Sequence, residues 1–214
     1  VDRGLGDRDT GEQLGGRRSR NAAASMFDLN EAAAGRHGRA ASVELVAVEL
    51  GVSAGSVYHR TGTKRALFAQ LWLRSLARFH ARLLTALRSS SDAEAALIAG
   101  AGEVIKYCRD QRAEARSLTL FRWLDLVADT PPALIDEVER ANDEVMAEIL
   151  GLAGRRFDTA SPDQQAIVMT AVQQVPYALV RSLLDSPDTA IPSWMDAAIA
   201  AAVVAGLAWL KSSA

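Results

Sequence analysis

A chain of 214 residues with 49% hydrophobic and 23% charged residues can bury a sizeable core, which excludes the disordered class. Aromatic residues are sparse at 6% while Ala is abundant, a balance that favours helix over strand. The net charge of −2 hides an asymmetry: residues 1–90 carry 14 Lys/Arg against 8 Asp/Glu, and residues 91–214 carry 10 against 18, so a polyanion partner is expected for the first part only.

In chain order, residues 1–17 are Gly-rich and aperiodic and predict a disordered arm. Apolar Ala22, Met26, Leu29 and Ala33 predict a first helix over residues 18–34, stopped by the segment GRHGR. Ser42 is the expected N-cap of a short second helix over residues 43–50, closed by Gly51. Ser53 caps a short third helix, to Tyr58 or His59, and a long fourth helix covers residues 63–88.

Further on, Ser91 and Glu94 fit a capping box that opens a fifth helix to about residue 108. A sixth helix is expected over residues 113–128. Thr130 and the following prolines introduce a seventh over residues 132–153. The segment SPDQ caps an eighth helix, residues 162–185, with Pro176 expected to kink it. A ninth covers residues 193–211. Its apolar core, residues 197–210, is shorter than the roughly 20 residues of a membrane span, so no membrane partner is expected. No secretion signal is read near the start, and the single Cys108 cannot form an internal disulfide, which fits a cytoplasmic setting. The fold class expected is all-α with about nine helices.

The segment SVELVAVELGVSAGSVYHRTGTKRALF, from Ser42 to Phe68, carries the functional signal. Ala47 is small where two helices would cross, and Gly51 suits the left-handed turn between them. Val57 would anchor the second helix against Val46 and Leu50. That is helix-turn-helix spacing. Ser53, Ala54, Gly55 and Ser56 are small enough for the helix start to enter a major groove. Tyr58, His59, Arg60 and Lys64 offer polar and charged groups at its rim, suited to phosphate oxygens.

The same segment resembles the DNA-binding part of the tetracycline-repressor (TetR) family of bacterial transcription regulators. Ser42, Val46–Ala47, Gly51–Val52–Ser53, Gly55, Tyr58, Thr63–Lys64 and Leu67 stand at the places of that family's pattern. The resemblance implies phosphate contacts for Ser56, Tyr58 and Lys64, and places Ala54 and Gly55 nearest the bases. It implies double-stranded DNA as partner, a homodimer, release by an unknown small-molecule effector, and no cofactor. The expected division is an arm over residues 1–17, a DNA-binding part over 18–62, and an effector-binding and dimerisation part over 63–214. Three departures stand out: Thr61 where many members carry a bulky apolar residue, Glu44 at the edge of the second helix, and an Ala-rich first helix without the usual Leu-Phe pair. They support one competing reading, a helical partner-binding module of the same fold that has lost DNA binding.

Val168, Val172, Val175, Leu179 and Leu183, with Met195, Ile199, Val203, Gly206 and Leu210, follow helical spacing in the last two helices. They are the expected dimer interface, forming a four-helix bundle across a two-fold axis. The candidate effector pocket is lined by His80, Tyr107, Phe121, Trp123, Met146 and Tyr177. An enzyme is disfavoured: the sequence has no HExxH or G-x-S-x-G, and Gly62–Lys64 reverses the order of a phosphate-binding loop. The acidic run Asp136, Glu137, Glu139, Asp143, Glu144 and Glu148 lacks Glu-x-x-His partners, so it reads as a solvated face with Arg140 pairing Glu144 and no metal.

Overall fold

The computed structural model describes residues 53–61, 63–120, 130–158, 160–184 and 189–212. The predicted first two helices, and with them Ser42, Glu44, Ala47 and Gly51, lie outside the described residues, as do Phe121 and Trp123. The described residues are helical, without a strand, as the composition predicts.

Helix α1 (Ala54–Thr61) is short and leads through Thr63 into α2 (Lys64–Leu87). Thr63 caps α2, its side chain accepting from the Ala66 N–H at 3.1 Å. α3 (Ala93–Asp110) returns alongside α2, and α4 (Arg112–Leu120) follows at once. Asp92, one residue past the predicted cap, is the N-cap of α3: it accepts from the Ala95 N–H at 2.7 Å. Glu94 is therefore not the closing member of a capping box with Ser91. It reaches Arg156 instead, at 2.8 Å.

The predicted helix over residues 132–153 is broken in two. A 3-10 turn (Pro132–Leu134) leads into α5 (Ile135–Arg140), a turn at Ala141 and Asn142 interrupts, and α6 (Asp143–Phe157) resumes. The next helix is also interrupted, in a different way. α7 (Pro162–Met169) passes into a single π-helical turn (Thr170–Gln174) and then α8 (Val175–Leu184). α9 (Trp194–Ser212) ends the described chain. The capping box predicted at Ser161 is present: the Ser161 hydroxyl accepts from the Gln164 N–H, and the Gln164 side chain accepts from the Ser161 N–H.

α3 is the hub, touching α2, α4, α6, α8, α9 and the π turn. Its buried residues Leu97, Ala101 and Ile105 meet Leu83 and Leu87 of α2, Ile149 and Leu152 of α6, and Val180 and Leu184 of α8 in one core. Each such fully buried aliphatic side chain contributes about 1.5–3 kcal/mol relative to exposure. Gly100 lets α2 approach α3 closely, since a Cβ there would lie 2.4 Å from Leu87 Cδ2. α9 presents Met195, Ile199, Val203 and Leu207 at every fourth residue to the same core.

Arginines staple the helices outside this core. Arg82 bonds Glu103 at 2.5 Å and Asp110 at 2.9 Å, and Arg109 bonds Asp196 at 3.1 Å. Arg88 holds Glu148 at 2.7 Å and Glu144 at 3.2 Å, while Arg140 pairs with Asp136 at 3.2 Å and not with Glu144. The break at Ala141–Asn142 separates Arg140 from Glu144, so their helical i, i+4 register is lost. Asp136, Glu137, Glu139 and Asp143 are thus on a solvated face, as expected, and Glu144 and Glu148 are joints to α2. Among the described residues no group of three His, Cys, Asp or Glu is arranged to hold a metal.

The helical run Pro162–Leu184, its π turn included, is long and apolar enough, by composition, to cross a membrane. Val168, Ala171, Val172, Val180 and Leu184 within it are buried in the chain's own core.

Candidate functional site

The first half of the site is α1. Its sequence AGSVYHRT contains no acidic residue, so its N-terminal dipole is unopposed within the helix. Ser53 precedes it as the cap, with its Oγ 3.1 Å from the Ser56 N–H and 3.0 Å from Ser56 Oγ. Gly55, Ser56, Tyr58 and His59 are exposed, and Ala54 is half-buried. Among the described residues, a Cβ on Gly55 would meet only Ser53 Oγ, at 3.8 Å. α1 packs against the start of α2, where Leu67 is fully buried. The side chains of Arg60 and Lys64 lie outside the described residues.

The second half is a partly open cavity of about 410 Å³ lined by α2, α3, α4, the Ala141–Asn142 turn, the π turn and α8. One wall is apolar: Trp72, Leu76 and Phe79 line up along α2 at helical spacing. The polar lining comes from Gln173 and Gln174 on the π turn and from Tyr177 and Arg181 one and two turns on. Its volume falls in the range of small-molecule sites.

The π turn has a cause in the sequence. Pro176 has no N–H to give, and its ring would collide with the carbonyl four residues back in a regular α-helix. The backbone widens ahead of it, with the Val175 N–H donating to the Thr170 carbonyl five residues back. The expected kink at Pro176 is therefore realised as an added residue per turn, and that turn is part of the cavity wall.

Three of the six predicted pocket residues line the cavity: His80, Tyr107 and Tyr177. Burial drives the His80 pKa down to about 4, against the opposing pull of a backbone hydrogen bond at Ala141 and the charge of Glu144. The imidazole is neutral at pH 7. Tyr107 is nearly fully buried, and its hydroxyl donates to Glu114 at 2.5 Å, whose other oxygen is held by Arg78. Phe79 packs on the Tyr107 ring at 5.1 Å, and Arg82 lies over it at 5.4 Å. Cys108 also lines the cavity, and burial pushes its thiol up to about 12, so it is not a reactive thiolate.

Met146 does not belong to the cavity. α6 buries Val145, Ile149, Leu152 and Ala153, and Met146, one position round from Val145, is 42% exposed. Trp72, Leu118, Thr119, Asn142, Gln173, Gln174 and Arg181 line the site without having been singled out from sequence. The i, i+4 relation of Arg181 to Tyr177 was the signal available for one of them.

The predicted dimer set divides by burial. Val168, Val172, Met195, Ile199 and Val203 are buried within this chain, where they hold α7, the π turn and α9 to the core. In this conformation they present no surface to a second copy. Val175, Leu183 and Gly206 are half-buried and Leu179 is 44% exposed, while the Leu210 side chain lies outside the described residues. Exposed apolar residues absent from that set are Val204, Trp194 and Trp209 on α9.

No family model matches the sequence, and no curated protein matches it. Solved structures do match. A transcriptional regulator from Rhodococcus sp. Rha1 is 22% identical with a TM-score of 0.66, the alignment covering 88% of this chain and 95% of that one. A TetR family transcription regulator from Marinobacter aquaeolei VT8 is 16% identical with a TM-score of 0.68, covering 89% and 96%. The ketosteroid transcriptional regulator KstR2 of Mycobacterium tuberculosis is 15% identical with a TM-score of 0.64, covering 86% and 92%. The fold of this chain is that of the TetR-type transcriptional regulators.

Proposed function

We propose that this chain is a DNA-binding transcriptional regulator of the TetR type, a homodimer that represses from a palindromic operator and is released by a small molecule. Residues 18–62 form its DNA-binding part and residues 63–214 its effector-binding and dimerisation part. The observation that carries the reading is α2: one unbroken helix abuts α1 at its start and supplies the apolar wall of the cavity from Trp72 to Phe79. A molecule seated against that wall acts on the same rigid rod that holds α1. Its binding energy differs between the conformation that fits two half-sites and one that does not, and DNA affinity falls by that difference.

On the duplex, α1 enters the major groove with Ala54 and Gly55 nearest the bases. Ser42, Ser53, Ser56, Tyr58, His59, Arg60 and Lys64 serve the backbone or groove edge. The chemistry asked of the protein is positioning and release, with no bond made or broken.

Replacing Lys64 by Ala tests the reading. Affinity for duplexes is expected to fall by a similar factor on every sequence, and the salt slope by about one. A loss confined to one base position would assign Lys64 to base reading, and the absence of salt-dependent duplex binding would favour the helical partner-binding module.

A further inference from the structure

The two walls of the cavity differ in chemistry, and the difference specifies a ligand. Trp72, Leu76 and Phe79 offer an apolar, partly aromatic surface on α2. On the polar side, Gln173, Tyr177 and Arg181 fall at i, i+4 and i+8, with Gln174 beside Gln173. No Asp or Glu lines the cavity among the described residues, and the Tyr107 hydroxyl is already given to Glu114. The His80 ring is neutral. Arg181 is therefore the one charged group among the described lining residues, exposed at the rim and without an ion-pair partner among the described residues.

A cavity with one guanidinium, neutral amides beside it and an apolar wall selects by charge at one end and by shape at the other. We infer that the cavity binds an apolar or aromatic carboxylic acid, its carboxylate paired with Arg181 and its body laid against Trp72, Leu76 and Phe79. The inference rests on the cavity being the effector site, and it specifies the class of effector.

The test uses matched acids and primary amides, which share a body and differ in charge. Decanoic, 1-naphthaleneacetic, biphenyl-4-carboxylic and cinnamic acids and their amides are titrated into the full chain by calorimetry, without DNA. At least one acid is expected to bind about tenfold more tightly than its amide. In Arg181→Gln that preference should shrink to within about twofold while the amide's affinity is unchanged. Arg155→Gln removes an exposed arginine away from the cavity and should leave the preference intact. Equal affinities, or no binding, for every pair overturn the inference, and so does a preference that survives Arg181→Gln. A carboxylate preference in a chain that binds no duplex would support the ligand class and overturn the regulatory reading, so the two fail separately.

Discussion

At the scale of single residues, His80 makes the cavity sensitive to acid. Its folded-state pKa of about 4 lies below the ordinary 6.5, so below pH 6.5 the unfolded chain takes up a proton that the folded chain refuses. Stability contributed by the neutral ring is present above that range and is lost as pH falls toward 4. Between pH 7.5 and 5 the loss amounts to about 2 kcal/mol. Urea unfolding of the native chain and of His80→Gln at those two pH values checks this: the variant should lose most of that pH dependence. Equal pH dependence in both would show that His80 is solvated. The aromatic character of the site was readable from His80, Tyr107 and Tyr177 as types, but its charge was not. Arg181 is one of many surface arginines by sequence, and only the path of α8 past the cavity distinguishes it.

At the scale of helices, local rules written in a few residues predicted best. The Ser161 capping box and the proline entry at Pro132 both needed only neighbours in sequence. Ser161→Ala should cost about 1 kcal/mol in chemical denaturation, because the Gln164 N–H loses its acceptor at the start of α7. An unchanged unfolding midpoint would mean that solvent replaces the cap at no cost. Where tertiary contacts compete, the reading failed. Ser91 and Glu94 satisfied a capping pattern, yet Arg156 of α6 draws Glu94 away and Asp92 takes the cap. Pro176 announced a disturbance in its helix, but not that the helix would widen by a residue and carry Gln173 and Gln174 into the cavity wall.

At the scale of the molecule, the fold was legible from helix periods and breakers, and the surface for a second copy was not. Helical spacing identifies an apolar stripe without saying whether it faces a neighbour in the same chain or in another. Met195, Ile199 and Val203 belong to the former. For the proposed homodimer, the exposed apolar residues of α8 and α9, among them Leu179, Val204 and Trp194 at 65% exposure, are the proposed interface. Leu179→Glu places a charge on that surface without disturbing the core. Sedimentation velocity should show the native chain as a dimer and the variant as a monomer of unchanged helicity. A variant that sediments with the native chain as a dimer would remove Leu179 from the interface.

The central claim is that two copies of α1 read DNA together. Selection of duplexes from a random pool by the purified chain at near-physiological salt, followed by sequencing, tests it most directly. Enrichment of an inverted repeat whose half-sites lie about one helical turn apart or slightly more is the expected result. A folded, helical protein that enriches no sequence would contradict it.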